Sequence, residues 1–220
     1  MIANTLQQAR FNMVQQQIRP WEVLDQRVLA LINEIPRERF VPDAYQGLAY
    51  ADIEIPIGQG QRTMFPRVEA RMLQALNIQP ADLILEIGTG SGYITTCLSK
   101  LGSKVISLEI HPEFTEQARP RLEAQGCRNV ELRTADGLAR KVEGGPFDVI
   151  AVTGSLPEVP DLLKSQLSIG GRLFVVIGAA PAMEASLITR VGDSAWRVEG
   201  LFETELPILD NAPETEQFQF

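Results

Sequence analysis

Leu83-Ile84-Leu85-Glu86-Ile87-Gly88-Thr89-Gly90-Ser91-Gly92-Tyr93 is the stretch that decides how this chain folds. Leu83 to Ile87 is apolar except for Glu86 and ends at a glycine, so it reads as a short buried strand. Gly88, Gly90 and Gly92 then let the backbone turn tightly and leave room for a ligand to lie against it. Beyond the turn, Ile94, Cys97, Leu98 and Leu101 recur at helical spacing on one face. A strand, a glycine turn and a helix in that order form the first crossover of a doubly wound nucleotide-binding sheet.

Glycine spacing selects the ligand. The dinucleotide fingerprint G-x-G-x-x-G needs a glycine at position 93, where Tyr93 stands. The glycines alternate instead, and Glu86 precedes them on the strand. This pattern resembles motif I of the class I S-adenosylmethionine methyltransferases, E/D-x-G-x-G-x-G. S-adenosylmethionine carries a cationic sulfonium and no phosphate, so a carboxylate suits it and would repel a pyrophosphate. The cofactor expected is S-adenosylmethionine, with S-adenosylhomocysteine as product, held by Glu86, Gly88, Thr89, Gly90, Ser91 and Gly92. A structural glycine turn and an NAD site are the alternatives.

Two more acids follow at strand ends. Lys104 to Glu109 reads as the next parallel strand, and an acid there, about twenty residues past the glycines, accepts hydrogen bonds from ribose hydroxyls. Glu109, with Ile110 after it, takes that role; a solvated strand-end glutamate is the alternative. Asn129 to Thr134 is a third strand, leading into Ala135-Asp136-Gly137, where methyltransferases commonly set an acid against the adenine amino group. Asp136 and Gly137 are assigned there, although such an aspartate by itself also suits a plain turn. Phe147 to Val152 is the fourth strand. His111 reads as a packing residue at a helix start, with a place beside the adenine as the alternative.

The remaining chain describes an ordinary enzyme. Its 220 residues suit one domain with a sizeable core, and 45% apolar content is usual for a globular protein. A net charge of −8 disfavours nucleic acid as a partner, because such binding depends on cations that neutralise phosphates. No apolar run approaches the roughly 20 residues of a membrane span, and Met1 to Arg10 lacks the apolar stretch of a secretory signal. Cys97 and Cys127, the only cysteines, read as reduced thiols of a cytoplasmic protein. His111 is the single histidine, which excludes a multi-histidine metal site, and no metal is expected.

The predicted architecture is α/β, a Rossmann-like seven-stranded and mostly parallel sheet with an antiparallel edge hairpin and an N-terminal helical extension. Helices are expected over Leu6 to Ile18, from an Asp25 N-cap through Ile32, and from Pro66 through Leu76. Phe40 to Pro66 is irregular and too long for a plain connector, which marks it as functional. A helix over Asp161 to Leu167 leads to a strand from Arg172 to Ile177. Ala185 to Val191 and Trp196 to Phe202, joined at Gly192-Asp193, form the hairpin. Residues 1–80 are read as an acceptor-lid segment packed on a core of residues 81–209. Residues 210–220 are read as an acidic, mobile tail on what is otherwise a single compact domain, with Phe218 and Phe220 fraying.

From about Arg10 to Leu209 the chain resembles the protein-L-isoaspartate O-methyltransferases. The similarity lies in Met13-Val14 with Ile18, Ile35-Pro36-Arg37-Glu38-Arg39-Phe40-Val41-Pro42, Ala49-Tyr50-Ala51-Asp52 and Ile55-Pro56-Ile57-Gly58-Gln59-Gly60-Gln61. It continues through Glu86 to Tyr93, Pro146-Phe147-Asp148, Val152-Thr153, and Gln166-Leu167 with Gly170-Gly171-Arg172-Leu173. The blocks at 36–42 and 55–61 are the specific ones, since generic methyltransferases lack them. The resemblance implies methyl transfer from S-adenosylmethionine to the free α-carboxylate of an L-isoaspartyl residue in a damaged protein or peptide, the first step of protein repair. It further implies Gln61, Arg62 and Thr63 at the reacting carboxylate, and Tyr50, Asp52, Ile57, Thr153 and Gly154 around the acceptor.

The acceptor half departs from the family pattern. After Gln61 the usual continuation is Thr-Ile-Ser-Gln-Pro, and this chain has Arg62-Thr63-Met64-Phe65-Pro66. Met64 stands at the serine position, and Thr63 keeps a hydroxyl one place out of register. Val-Thr-Ala-Ala becomes Val152-Thr153-Gly154-Ser155, and the closing Phe-Val-Pro-Leu becomes Glu205-Leu206-Pro207-Ile208. Three readings follow: the repair enzyme, a methyltransferase of the same fold with another carboxylate or small acceptor, and a non-catalytic S-adenosylmethionine-binding protein. Arg62 either faces the acceptor pocket or turns to solvent or an acid such as Glu69.

Overall fold

The computed structural model describes residues 2–213. A small antiparallel hairpin, β1 (Pro56–Gly58) with β2 (Gln61–Arg62), precedes the main sheet. The sheet contains β3 (Leu83–Ile87), β4 (Lys104–Glu109), β5 (Val130–Thr134), β6 (Phe147–Leu156), β7 (Leu167–Ala179), β8 (Ala182–Gly192) and β9 (Ala195–Glu203). Their spatial order is β5-β4-β3-β6-β7-β8-β9. Neighbours from β5 to β7 are parallel, and β8 and β9 close the edge antiparallel. This is the architecture expected from the sequence.

Chain order reverses at β3, with β4 on one side and β6 on the other. A crevice opens at such a switch point, beyond the carboxyl ends of the strands, and it is where ligands bind in open α/β sheets. The central strands are apolar runs because both of their faces are covered. Ile84, Val149 and Phe174 pack into one apolar cluster, while Leu85, Ile150 and Leu173 pack into the other. The first cluster also takes Ile18, Ile32, Phe40 and Leu76, so the N-terminal segment shares its core with the sheet.

The helices are α1 (Ile2–Met13), α2 (Gln26–Glu34), α3 (Pro66–Leu76), α4 (Tyr93–Leu101), α5 (Pro112–Ala124) and α6 (Asp161–Ser165). Asp25 caps α2 by accepting the Arg27 N–H at 2.8 Å, and Pro66 starts α3 where no N–H is needed. None of the described helices is long and apolar enough to cross a membrane.

Several boundaries differ from the sequence reading. The α-helix expected to reach Ile18 stops at Met13 and continues as a π-helical turn over Val14–Ile18, a wider turn that buries both Val14 and Ile18. α6 ends before Leu167 because Leu167 pairs with Phe147 and the Gln166 side chain accepts the Val142 N–H. Phe40 to Pro66 is less irregular than expected, for it holds β1, β2 and a 3₁₀ segment over Asp43–Leu48. Asp210, Asn211 and Ala212 are docked against the sheet rather than loose, whereas Phe218 and Phe220 lie outside the described residues.

One buried ion pair fastens the N-terminal segment. Arg37, 1% exposed, donates from Nε and one terminal nitrogen to both oxygens of Glu69 on α3, at 3.0 and 2.9 Å. The same guanidinium donates to the carbonyls of Ala49 and Met64, so it ties three parts of residues 37–69 together. Burial would lower the Arg37 pKa, but the Glu69 carboxylate outweighs it and the pKa is raised. Removing one partner strands the other charge in the core. Arg37→Met is therefore expected to lower stability by about 3–5 kcal/mol, read as a lower urea midpoint, and Glu69→Leu in the same chain should restore much of it. An unchanged midpoint in Arg37→Met would mean that the pair does not hold this segment.

Candidate active site

The glycine turn is held open by side chains from the neighbouring strands. The Gly90 N–H donates to Glu109 Oε2 at 2.8 Å, and the His111 N–H donates to Oε1 at 3.0 Å. From β6, Thr153 Oγ1 donates to the carbonyls of Gly88 and Ile87, at 2.6 and 3.1 Å. Gly88, Gly90 and Gly92 all have positive φ, at 95°, 50° and 84°. A Cβ at Gly88 would collide with Thr153 Oγ1, and one at Gly92 would lie 3.1 Å from the Ala118 Cβ. Glycine is thus required at 88 by the strand beside it and at 92 by the packing of α5.

A groove open to solvent lies along this turn. Gly88, Gly90, Glu109, Ile110, Asp136 and Gly137 line it, as does Thr153 with Gly154. Asp136 is fixed by the Leu138 N–H on Oδ1, at 2.8 Å, and by the Asn211 amide on Oδ2, at 3.2 Å. A Cβ at Gly137 would lie 3.0 Å from the Ile87 side chain, so a larger residue here would have to push it aside.

A second recess continues from the groove, sharing Ile57, Arg62, Gly88, Gly90 and Thr153 with it. Thr63, Met64, Thr89 and Ser91 line this recess, and Gln61 stays on the groove side. Thr63 is buried, and its Oγ1 accepts the Ile55 N–H at 3.0 Å, which leaves its own proton free to donate. Arg62 is exposed, and its side chain has no ion pair or hydrogen bond among the described residues. It does not pair with Glu69, whose two oxygens belong to Arg37.

Some expected residues lie elsewhere. Glu86 is fully buried behind the turn and lines neither space. Its Oε2 accepts from Thr95 Oγ1 and Ser107 Oγ, both at 2.6 Å, and Ser107 in turn meets Thr89 Oγ1 at 2.6 Å. Glu86 supports the turn through this chain of hydroxyls. Tyr50 is also outside both spaces, its hydroxyl donating to Glu38 and accepting from Arg10 Nε. Asp52 pairs with Arg67 and does not reach the recess.

His111 takes both of the places its sequence readings offered, and two further groove residues were missed from the sequence. His111 does precede α5, as a helix-start residue would, but it also lines the groove and meets Asp210 Oδ2 through Nε2 at 2.7 Å. Leu209 and Asp210 form another wall of the groove. The only signal for them was an apolar run, Leu206 to Leu209, ending in an acid just after the last strand.

Residues 8–205 match the family model described as protein-L-isoaspartate(D-aspartate) O-methyltransferase (PCMT). The chain belongs to this methyltransferase family. Protein-L-isoaspartate O-methyltransferase 2 of Marinobacter nauticus is 41% identical over 192 residues, covering 87% of this chain and 88% of the relative. Protein-L-isoaspartate O-methyltransferase of Picosynechococcus sp. is 42% identical over 169 residues, 77% of this chain and 76% of the relative. A solved Plasmodium falciparum beta-aspartate methyltransferase in complex with S-adenosyl-L-homocysteine shares the fold. Its TM-score is 0.78 at 20% identity, with 93% of this chain and 97% of that chain covered.

Within this methyltransferase, Glu86 carries a titration that its surroundings explain. Burial raises its pKa from 4.5 to about 8, against the lowering effect of the Ser107 and Thr95 hydroxyls. A carboxyl whose folded pKa lies above its unfolded value holds its proton more tightly when folded. Stability therefore falls as pH rises from about 4.5 towards about 8, and the penalty is complete above the folded value. Glu86→Gln, which cannot ionise, should gain on wild type over that window by up to about 1.4 kcal/mol per pH unit. Parallel stability-against-pH curves for the two proteins would refute a neutral Glu86.

Proposed function

We propose that this enzyme transfers the methyl group of S-adenosylmethionine to the free carboxylate of L-isoaspartyl residues in damaged polypeptides, and so serves protein repair. One observation carries the reading: a groove walled by carboxylates leads into a recess that offers a free cation and a free hydroxyl proton. The acids Glu109, Asp136 and Asp210 line the groove. They suit a cationic ligand that carries no phosphate and would repel a pyrophosphate. The glycines at 88 and 90 leave the bare backbone that such a ligand can lie against. Glu109, already oriented by two backbone N–H groups, keeps lone pairs for ribose hydroxyls, and Asp136 faces the adenine end.

When bound, the cofactor supplies an electrophilic methyl group on a positively charged sulfur. The acceptor carboxylate is ionised at neutral pH, so no residue of the chain has to act as a general base. What the chain supplies is position. Arg62 and Thr63 would hold the carboxylate, with Gln61 beside them on the groove side and Ile57, Met64 and Ile94 excluding water from the recess. Positioning of this kind is worth about 7–11 kcal/mol of barrier. Arg62 takes the part that neutral hydroxyls play in the usual family pattern, since a guanidinium grips a carboxylate through paired hydrogen bonds. Thr153 borders the recess from β6, and Gly154 borders the groove beside it. Residues 1–80 serve as the acceptor cover, which fits the lining of the recess by residues 57–69. Free thiols at Cys97 and Cys127 support a cytoplasmic location.

Two measurements test this. Glu109→Ala should weaken S-adenosylhomocysteine binding by about 1.5–3 kcal/mol, the value of a charged hydrogen bond, and equal affinities by calorimetry would remove Glu109 from the site. Methyl transfer should occur with an isoaspartyl peptide and not with its aspartyl twin, and Arg62→Ala should raise KM for the former by about tenfold or more. Failure to distinguish the twins would overturn the isoaspartyl activity. Unchanged kinetics in Arg62→Ala would leave the arginine without a role in the pocket.

A further inference from the structure

A wide groove on the outside of the molecule begins where the acceptor recess ends. Arg62 lines both, so the two spaces meet at its side chain. The outer groove is broader and more open than the recess, a surface for several residues of a chain rather than one side chain. Trp21, Phe65 and Met183 line it. Arg67 lies over both rings, its guanidinium carbon 4.5 Å from the Trp21 centroid and 4.3 Å from that of Phe65. Its charge is neutralised by Asp52.

Three carboxylates border the same groove: Glu54, just before β1, Glu203 at the end of β9, and Glu205. None of them has an ion pair or side-chain hydrogen bond among the described residues. The Glu54 carboxyl is pushed up by burial, drawn down by Arg62 and pushed up again by Glu205, so these side chains feel one another. Once Arg62 holds an acceptor carboxylate, the groove is left with three anions and no cation of its own to balance them. The chain's net charge of −8 adds a field of the same sign.

We propose that this groove holds the polypeptide flanking the methyl-accepting residue, and that Glu54, Glu203 and Glu205 make the enzyme favour acceptors with lysine or arginine beside that residue. The inference rests on the acceptor role given to Arg62 above. A flanking ammonium meets uncompensated carboxylates, and a flanking glutamate meets like charge, so the groove selects both by attraction and by repulsion. The aromatic floor carries the apolar stem of a long cationic side chain while its head stays in water at the acidic rim.

Two isoaspartyl peptides that differ only in lysine or glutamate on both sides of the isoaspartate test this, titrated by calorimetry into enzyme saturated with S-adenosylhomocysteine. The lysine peptide is expected to bind about tenfold tighter at low salt, with the gap closing as salt screens exposed charge. Glu203→Gln with Glu205→Gln should remove most of the gap, while methylation of an isoaspartyl peptide with uncharged flanks stays at the wild-type rate. Affinities within twofold of each other, no binding of either peptide, or a gap that survives the double variant overturns the proposal. Charge-selective binding without methyl transfer would instead overturn the isoaspartyl activity and leave the groove assignment standing.

Discussion

The turn after β3 satisfies only part of its own backbone, the Gly92 N–H reaching the Thr89 carbonyl, and the site follows from what is left over. Left-handed glycines at 88, 90 and 92 spread the peptide groups apart, so neighbouring strands must supply their partners. Glu109 from β4 takes the Gly90 N–H, and Thr153 from β6 takes the Gly88 carbonyl. Both strands flank β3, which is possible only because the chain order reverses there. Glu109 and Thr153, which brace the turn, also line the groove.

Behind the turn lies a second layer of support made of hydroxyls. Thr95, Ser107 and Thr89 form a chain that ends on the buried Glu86. An ionised carboxylate at that depth is costly, and the proton it retains is what lets it sit there. Glu86 therefore acts on the site through Thr89 rather than through its charge. On the acceptor side, Arg37 does the equivalent work with an ion pair, drawing the carbonyls of Ala49 and Met64 onto one guanidinium. One half of the site is fastened by neutral hydrogen bonds and the other by a buried charge pair.

Departures from the family pattern are concentrated at one place. Met64, at the position where the pattern has serine, lines the recess. Thr63 offers the nearest hydroxyl, and Arg62 stands where the recess, the cofactor groove and the outer groove meet. Exchanging a neutral hydroxyl for a guanidinium changes more than affinity. A cation stabilises the ground-state carboxylate as well as the transition state, and only the difference between the two raises the chemical rate. The grip proposed for Arg62 would accordingly favour capture of an anionic acceptor over turnover.

The sequence by itself determined the strands β3 and β4, the ligand class and the two acids at the strand ends. Each of these is local: alternating glycines, an apolar run, a carboxylate at a fixed distance from the turn. Residues 8–205 carried the family in the same way, through contiguous blocks. Tertiary structure decided which acids line the groove. Glu86 and Glu109 look alike in sequence, yet β3 turns one into the core and β4 turns the other into the groove. Tyr50 and Asp52 lie in a matching block but are consumed by Glu38, Arg10 and Arg67. Asp210 comes from the far end of the chain to meet His111, 99 positions away. Partnerships across such distances follow from how the chain packs, and a linear pattern carries no record of which side chain a neighbour has already claimed.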